Sequence, residues 1–200
     1  EYAEPCEVLI EGRHAKVQPL SHFEEVPWAD RGVLEAFSTA GGTSTMTYAH
    51  EGRVRSLEYK TLRYPGHGVV FRALYEMGLF DQTPHRFGGV ELAPRAVLID
   101  GLTRTLPRDG ADVVLVRVWR DQGGQRTVVE VEDTAHGAFS ALARTTAFPA
   151  TALASLIAEG TVLRPGVLAM HEAVTAAELM PELSDVGIVG TRSTRPIAEA

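Results

Sequence analysis

The sequence predicts an α+β fold, a largely antiparallel sheet with helices packed on one face. Two observations carry that prediction. Segments rich in β-branched and aromatic residues occur as turn-linked pairs, not in one-to-one alternation with helices, which marks hairpins and not parallel βαβ units. Other segments repeat apolar residues at three- and four-residue steps and stop at a glycine, as amphipathic helices do. At 200 residues the chain is long enough for one domain, or one and a half, with a substantial core.

Taken in order, residues 7–10 and 15–17 flank Glu11-Gly12-Arg13-His14 and read as an opening hairpin. Residues 19–30 form a polar, proline-containing link. Residues 33–37 read as a short apolar strand. The run of glycines and hydroxyls that follows, 38–45, cannot be the interior of an element and reads as a tight or functional loop. The stretch 57–81, LEYKTLRYPGHGVVFRALYEMGLFD, organises the rest. Its alternating residues 55–64 suit a strand, Pro65-Gly66 stops it, and Val70, Ala73, Leu74 and Met77 trace the stripe of a helix that Gly78 closes. A polar loop, 82–89, leads to a helix over 93–106, with Pro94 in its first turn and Val97, Leu98, Leu102 and Leu106 along one side.

Residues 111–119 and 126–132, joined by Asp121-Gln122-Gly123-Gly124-Gln125, give the clearest hairpin in the chain. Val114, Val116 and Val118 alternate with Leu115, Arg117 and Trp119, so one face of it is uniformly apolar. Thr145-Thr146 read as an N-cap pair ahead of a helix over 150–159, in which Leu153, Leu156 and Ile157 form the stripe. A last helix over 176–183 precedes a polar tail, 190–200, expected to be loose.

The formal charge of -7 and scattered basic residues argue against a nucleic-acid partner, which calls for a basic face. The one cysteine, Cys6, excludes an internal disulfide and any CxxC zinc framework, so a reducing cytoplasm is the default location. No apolar run approaches the roughly 20 residues of a membrane span. The histidines show no metal-ligand spacing, so no metal is expected. The opening EYAEPCEV has no methionine and reads as the start of a fragment or processed chain.

Ionisable side chains mass where the 55–64 strand meets the following helix, a place whose free backbone N–H groups favour an anion. Strand alternation puts Tyr59, Thr61 and Arg63 on one face and Lys60 on the other. Arg63 suits a carboxylate because its planar fork donates two parallel hydrogen bonds; the alternative is a structural ion pair. His67 suits a general base, with a pKa lowered toward the neutral form by the helix N-terminus, or else simply caps the turn. The Gly41-Gly42-Thr43-Ser44-Thr45 loop could cradle an anion or merely turn the chain. It contains no Gly-x-Ser-x-Gly elbow. The only Gly-x-Gly is Gly66-His67-Gly68, with Phe71 in place of the third glycine, so no dinucleotide fingerprint is present.

The segments KTLRYPGH and ARTTAFPA, together with EVLIEGRHAKVQPLSHFEEV, EAFSTAGGTST, VELAPRAVLIDGL and PGVLAMHEAVTAAEL, resemble the C-terminal substrate domain of the saccharopine dehydrogenase and L-lysine 6-dehydrogenase family. The resemblance implies a fold like that of this domain and of glyceraldehyde-3-phosphate dehydrogenase-like enzymes. It also implies a substrate-binding, catalytic and dimerisation domain over 1–190. Residues 191–200 would be a flexible tail or the return to a Rossmann domain absent from this chain. NAD or NADP, held mainly by that domain, would take hydride from the carbon bearing an amine. The partners implied are an amino acid or other small amine and a second copy of the chain.

By position, Thr61, Leu62 and Arg63 match the segment that contacts the amino-acid substrate, and Gly42, Thr43 and Ser44 belong to the closing loop. His67 or Lys60 would be the base that frees the amine. Saccharopine-forming members carry an arginine where Gly42 stands, so a substrate with fewer carboxylates, such as lysine or a polyamine-like amine, is expected. A rival reading treats the domain as a non-catalytic dimerisation module, and a third allows another imine or ketone.

Overall fold

A computed structural model describes residues 1–107, 110–162 and 164–197. Within the span expected to act as one functional unit, the chain divides into two compact units, Glu1–Pro107 and Arg108–Ala200.

The first unit opens with the expected hairpin, β1 (Cys6–Ile10) against β2 (Arg13–Val17), turned by Glu11 and Gly12 at positive φ. A second antiparallel sheet has the order β3-β4-β5, built from Glu24–Trp28, Gly32–Ser38 and Lys60–Arg63. Strand β3 lies in the segment read as a polar link. It is an edge strand, where Pro27 is tolerated and only Val26 and Trp28 need be apolar, so its pattern is too weak to stand out. Strand β5 is much shorter than the 55–64 expected. Leu57 pairs with Leu9 of β1 instead, through Leu9 N–H to Leu57 O at 2.8 Å and its reciprocal at 3.1 Å. One sequence run thus serves two sheets.

After β4 the Gly-Thr-Ser run enters a five-residue helix, α1 (Met46–His50). Helix α2 (His67–Glu76) follows β5 through Gly66 at φ 94°. The buried face of α2 is not the expected stripe. Val70 and Met77 are exposed, while Gly68 is buried and Phe71, Leu74 and Tyr75 are half-buried. The inward row is therefore shifted by one position, and it is led by a glycine that no count of apolar residues detects.

A Cβ at Gly68 would lie 2.5 Å from the Phe23 ring and 2.7 Å from the Phe37 ring, so only glycine lets α2 lie this close to the sheet. Phe37, with Leu9, Leu20, Cys6, Leu34 and Ala36, forms the buried core of this unit. The supposed loop at 82–89 holds one strand of a small hairpin, β6 (His85–Phe87) with β7 (Val90–Leu92), turned by Gly88-Gly89. Helix α3 (Pro94–Thr105) matches its prediction and starts at the proline, but Val97 and Leu106 are exposed and none of its residues is buried.

The second unit is a three-stranded antiparallel sheet of order β10-β9-β8, in which β8 (Val113–Gln122) and β9 (Gln125–Thr134) form the predicted hairpin. Strand β10 (Gly190–Pro196) stands where a loose tail was expected, and the last three residues of that expected tail, 198–200, lie outside the described residues. Its TRSTR sequence is polar on both faces and reads as tail, yet its backbone pairs residue for residue with β9. Backbone hydrogen bonds do not depend on side-chain polarity.

Helix α4 (Ala141–Ala158) starts nine residues earlier than predicted. Thr145 is inside it and not at its cap: its hydroxyl donates to Ala141 O at 2.8 Å. Ser140 is the N-cap, accepting from Ala143 N–H, and the Asp112 carboxylate accepts from Ala141 and Leu142 N–H at 2.7 and 2.9 Å. Those bonds lower the Asp112 pKa. Pro149 is accommodated inside the helix.

By length and mean hydropathy alone α4 could cross a membrane. It is instead tied to the sheet through Arg144, which is buried and paired with Asp133 of β9 at 2.9 Å and also donates to Val186 O at 3.1 Å. Two further helices, α5 (Met170–Ala173) and α6 (Ala176–Asp185), follow, and Thr175 and Glu178 form a capping box on α6. Ala152, Leu183 and Ile188 form the apolar centre with Val131 packed against them. Val116 and Val118, on the same sheet face as Val131, are exposed.

Replacing Arg144 with methionine leaves Asp133 buried and unpaired, and is expected to destabilise the protein by about 3–5 kcal/mol in denaturant titration. The double change Arg144→Met with Asp133→Leu should recover most of that loss. Gly68→Ala should cost about 1–3 kcal/mol, because the fully buried Phe37 ring has no room to withdraw.

Candidate functional site

The candidate site lies in the first unit, where α2 crosses β4 and β5. Antiparallel register sets Glu35 opposite Arg63 and Phe37 opposite Thr61. The inner face of the sheet thus presents an acid, an aromatic ring, a hydroxyl and a guanidinium in two rows. Glu35 accepts hydrogen bonds from Gly66 N–H, at 3.0 Å, and from Gly68 N–H. The helix N-terminus expected to attract an external anion is therefore already occupied by a carboxylate of the chain itself. Sequence analysis missed Glu35 because it sits as the lone charge in an apolar strand, VLEAFS. That anomaly was the available signal.

His67 begins α2 and stacks on Phe71, with ring centroids 4.4 Å apart and planes at 11°. Its Nε2 is hydrogen-bonded to the Tyr2 hydroxyl at 3.0 Å. Tyr2 meets Phe37, His67 and Phe71 edge-on, with centroids 5.2 to 5.8 Å apart. Burial lowers the pKa of His67, the charge of Arg63 adds to that effect, and Glu35 opposes it. The direction is the one expected, but the first cause is burial among aromatic rings. Burial raises the pKa of Tyr2, while Arg63, through its charge and a side-chain hydrogen bond, pulls it down.

Arg63 lines a cavity of about 310 Å³ together with Glu1, Tyr2, Ala3, Phe80 and Arg95. One of its N–H groups donates to Leu62 O at 2.8 Å, which fixes the guanidinium. Arg95 comes from the first turn of α3, held there by its own N–H to Asp81 O at 3.0 Å. Asp81 in turn accepts from Thr83 N–H and pairs with His85 at 3.0 Å, contacts that lower its pKa to about 2. Tyr2 and Arg95 are site residues that sequence reasoning overlooked. Tyr2 stands in no motif, Arg95 lies in the VELAPRAVLIDGL segment with no chemistry of its own to mark it, and only the fold carries the second residue of the chain to Arg63.

The other expected site residues lie elsewhere. Lys60 occupies the opposite face of β5 from Arg63, and its ammonium is engaged by Glu24 at 3.2 Å and Glu58 at 3.8 Å. Thr61 is buried and shares a 2.6 Å hydrogen bond with the Thr39 hydroxyl. Leu62 is half-buried and serves Arg63 through its carbonyl.

Gly42 lies beneath the Tyr59 ring, where a Cβ would come within 2.1 Å of it. Thr43 donates to Glu7 O at 3.2 Å, and Ser44 is exposed at φ 47°. None of these three lines the Arg63 cavity. The loop does reach that cavity at its other end, where Ala40 N–H donates to Glu1 O at 2.9 Å.

The family model for the saccharopine dehydrogenase C-terminal domain matches residues 1–188. The chain belongs to that family. Its fold is similar to the solved apo structure of histidine-tagged saccharopine dehydrogenase (L-Glu forming) from Saccharomyces cerevisiae, with a TM-score of 0.63 and 15% sequence identity. The match covers 96% of this chain and 59% of that one. Membership places the chain among domains of saccharopine dehydrogenase-type oxidoreductases, which generally use NAD(P). The residues of this saccharopine dehydrogenase C-terminal domain do not fit a nucleotide pyrophosphate at Gly66-His67-Gly68. The N–H groups of both glycines already bond Glu35, and its carboxylate would repel a phosphate.

The His67 shift makes stability depend on pH. Its unfolded pKa is near 6.5 and its folded pKa is lower, so on acidification the unfolded state takes up the proton first. The contribution is therefore fully present above the unfolded value and is lost as pH falls through it toward the folded one. Thermal melts between pH 8 and 5 should show this loss, and His67→Gln should flatten that part of the curve.

Proposed function

We propose that this chain is the substrate-binding domain of an NAD(P)-dependent oxidoreductase acting on the CH–NH group of an amino acid, of the lysine 6-dehydrogenase or saccharopine dehydrogenase kind. The observation that carries this reading is the convergence at one cavity of a fixed guanidinium, Arg63, and of Tyr2, whose hydroxyl is hydrogen-bonded to His67 outside the lining. The guanidinium supplies a two-point anchor for an amino-acid carboxylate, and the pair supplies a proton acceptor for the amine. His67 suits that task better than Lys60, whose ammonium is committed to Glu24 and Glu58.

Arg95 adds a second cation to the same cavity. On charge alone this offsets the missing arginine at Gly42, so an adduct with a further carboxylate belongs in the substrate screen beside lysine. The redox step falls to the cofactor, and its binding falls to a part of the protein outside this chain. A homodimer accords with the exposed Val116 and Val118 of the second unit, a feature that a role in dimerisation would explain without conflict with the site in the first.

The test is a screen of the complete protein for NADH or NADPH formation with lysine, saccharopine, ornithine and polyamines. Arg63→Ala should raise KM for the active amino acid by roughly 10- to 150-fold, the equivalent of about 1.5–3 kcal/mol for a hydrogen bond to a charged group, with little change in kcat. Unchanged kinetics would remove Arg63 from the binding site.

A further inference from the structure

The positions of Tyr2 and His67 relative to the cavity are unequal. Tyr2 lines it beside Arg63, whereas His67 does not. The imidazole lies flat against Phe71, and its Nε2 is taken by the Tyr2 hydroxyl at 3.0 Å. A substrate amine near Arg63 therefore meets a phenol first. Resting on the proposed amine-dehydrogenase reading, we infer that Tyr2 is the group that contacts the substrate amine and that it relays the proton to His67 Nε2.

The step balances without any change of oxidation state. The substrate ammonium N–H bond breaks, and its proton forms an O–H bond with Tyr2. The proton that Tyr2 held passes to Nε2. The products are a neutral amine, a neutral phenol and an imidazolium, which releases its proton to solvent. Tyr2 is left as it began, so it works as a conduit and His67 as the acceptor.

Arg63 gives the relay a trigger. The groups acting on the pair are Arg63 and Glu35 on His67, and Arg63, Glu1 and Tyr59 on Tyr2. In the free protein the Arg63 charge disfavours the imidazolium. A carboxylate arriving on Arg63 cancels that charge, and the proton affinity of His67 rises at the moment an amine is in place. Anchoring of one end of the amino acid and deprotonation of the other are thereby coupled through a single arginine. Ala40 contributes by holding residue 1, and with it Tyr2, at the cavity.

The test uses the complete protein with lysine and saccharopine as probes, and compares Tyr2→Phe, His67→Gln and the double variant. Tyr2→Phe keeps the ring packed on Phe37 and Phe71. It should lower kcat by roughly 10²-fold or more, the range of general acid–base catalysis, with KM almost unchanged. His67→Gln should lower kcat by a similar factor, and the double variant should be no worse than either single one. Ring ¹⁵N spectra of histidine-labelled wild-type protein should show His67 Nε2 unprotonated and accepting a hydrogen bond. Its titration should move to higher pH when lysine is added.

Tyr2→Phe with unaltered kcat, independent losses that multiply in the double variant, or a protonated Nε2 in the wild type would overturn the relay while leaving the dehydrogenase reading intact. Failure of the wild type to turn over any amine would overturn both.

Discussion

The carboxylate of Glu35 bonded to the N–H groups of Gly66 and Gly68 holds the first unit in its working shape. A helix N-terminus carries unsatisfied donors and a partial positive charge, and a strand acid inserted there satisfies both. Because the acid belongs to β4 and the donors to α2, the bond fixes how the helix sits on the sheet. His67 lies between the two donors, so its ring has little choice but to face Phe71 and Tyr2. Arg63, opposite Glu35 on β5, completes the arrangement. The second unit uses the same device, with Asp112 closing the N-terminus of α4. In the first unit the acid stands in place of the usual serine or threonine cap, and in the second it adds to the cap that Ser140 provides.

Much of the fold was legible because its periodicity is strong. The long hairpin of β8 and β9, the opening hairpin, the proline start of α3 and the glycine end of α2 each follow from local chemistry that tertiary structure does not override. What escaped has physical causes. Strands β3 and β10 lie at sheet edges, where solvent replaces the apolar partner and the alternation fades. Helix α4 contains a proline that ordinarily begins a helix. The face of α2 was misplaced by one position because its closest contact is made by Gly68, which has no side chain.

The site was legible in part. Arg63 and His67 stand in the KTLRYPGH motif, and the fold brings both to the same cluster. Lys60 was separable from them by strand parity alone. The family resemblance gives Thr61 and the Gly42, Thr43 and Ser44 loop to the substrate by position, but a hydroxyl can serve the fold instead, as the buried Thr39–Thr61 bond shows. Tyr2 and Arg95 could not be found from spacing, since nothing local marks a residue whose partner across the cavity, Arg63, lies 61 positions from the one and 32 from the other.

Strand β10 has a consequence for the order in which the chain can become structured. It forms the outer strand beside β9, yet helices α4 to α6 lie between them in sequence. The hairpin of β8 and β9 can close as soon as its own residues exist, but β9 keeps one edge bare until the last described strand arrives. Long-range pairing of this kind is slow, and an unpaired edge is the part of a sheet most prone to bind the wrong strand. During synthesis the second unit therefore passes through an interval in which a neighbouring chain's β10 could take the place of its own. The polar, arginine-bearing sequence of β10 makes such an exchange less sticky than an apolar strand would. The same residues that hide this strand from a sequence reader guard the growing sheet against its copies.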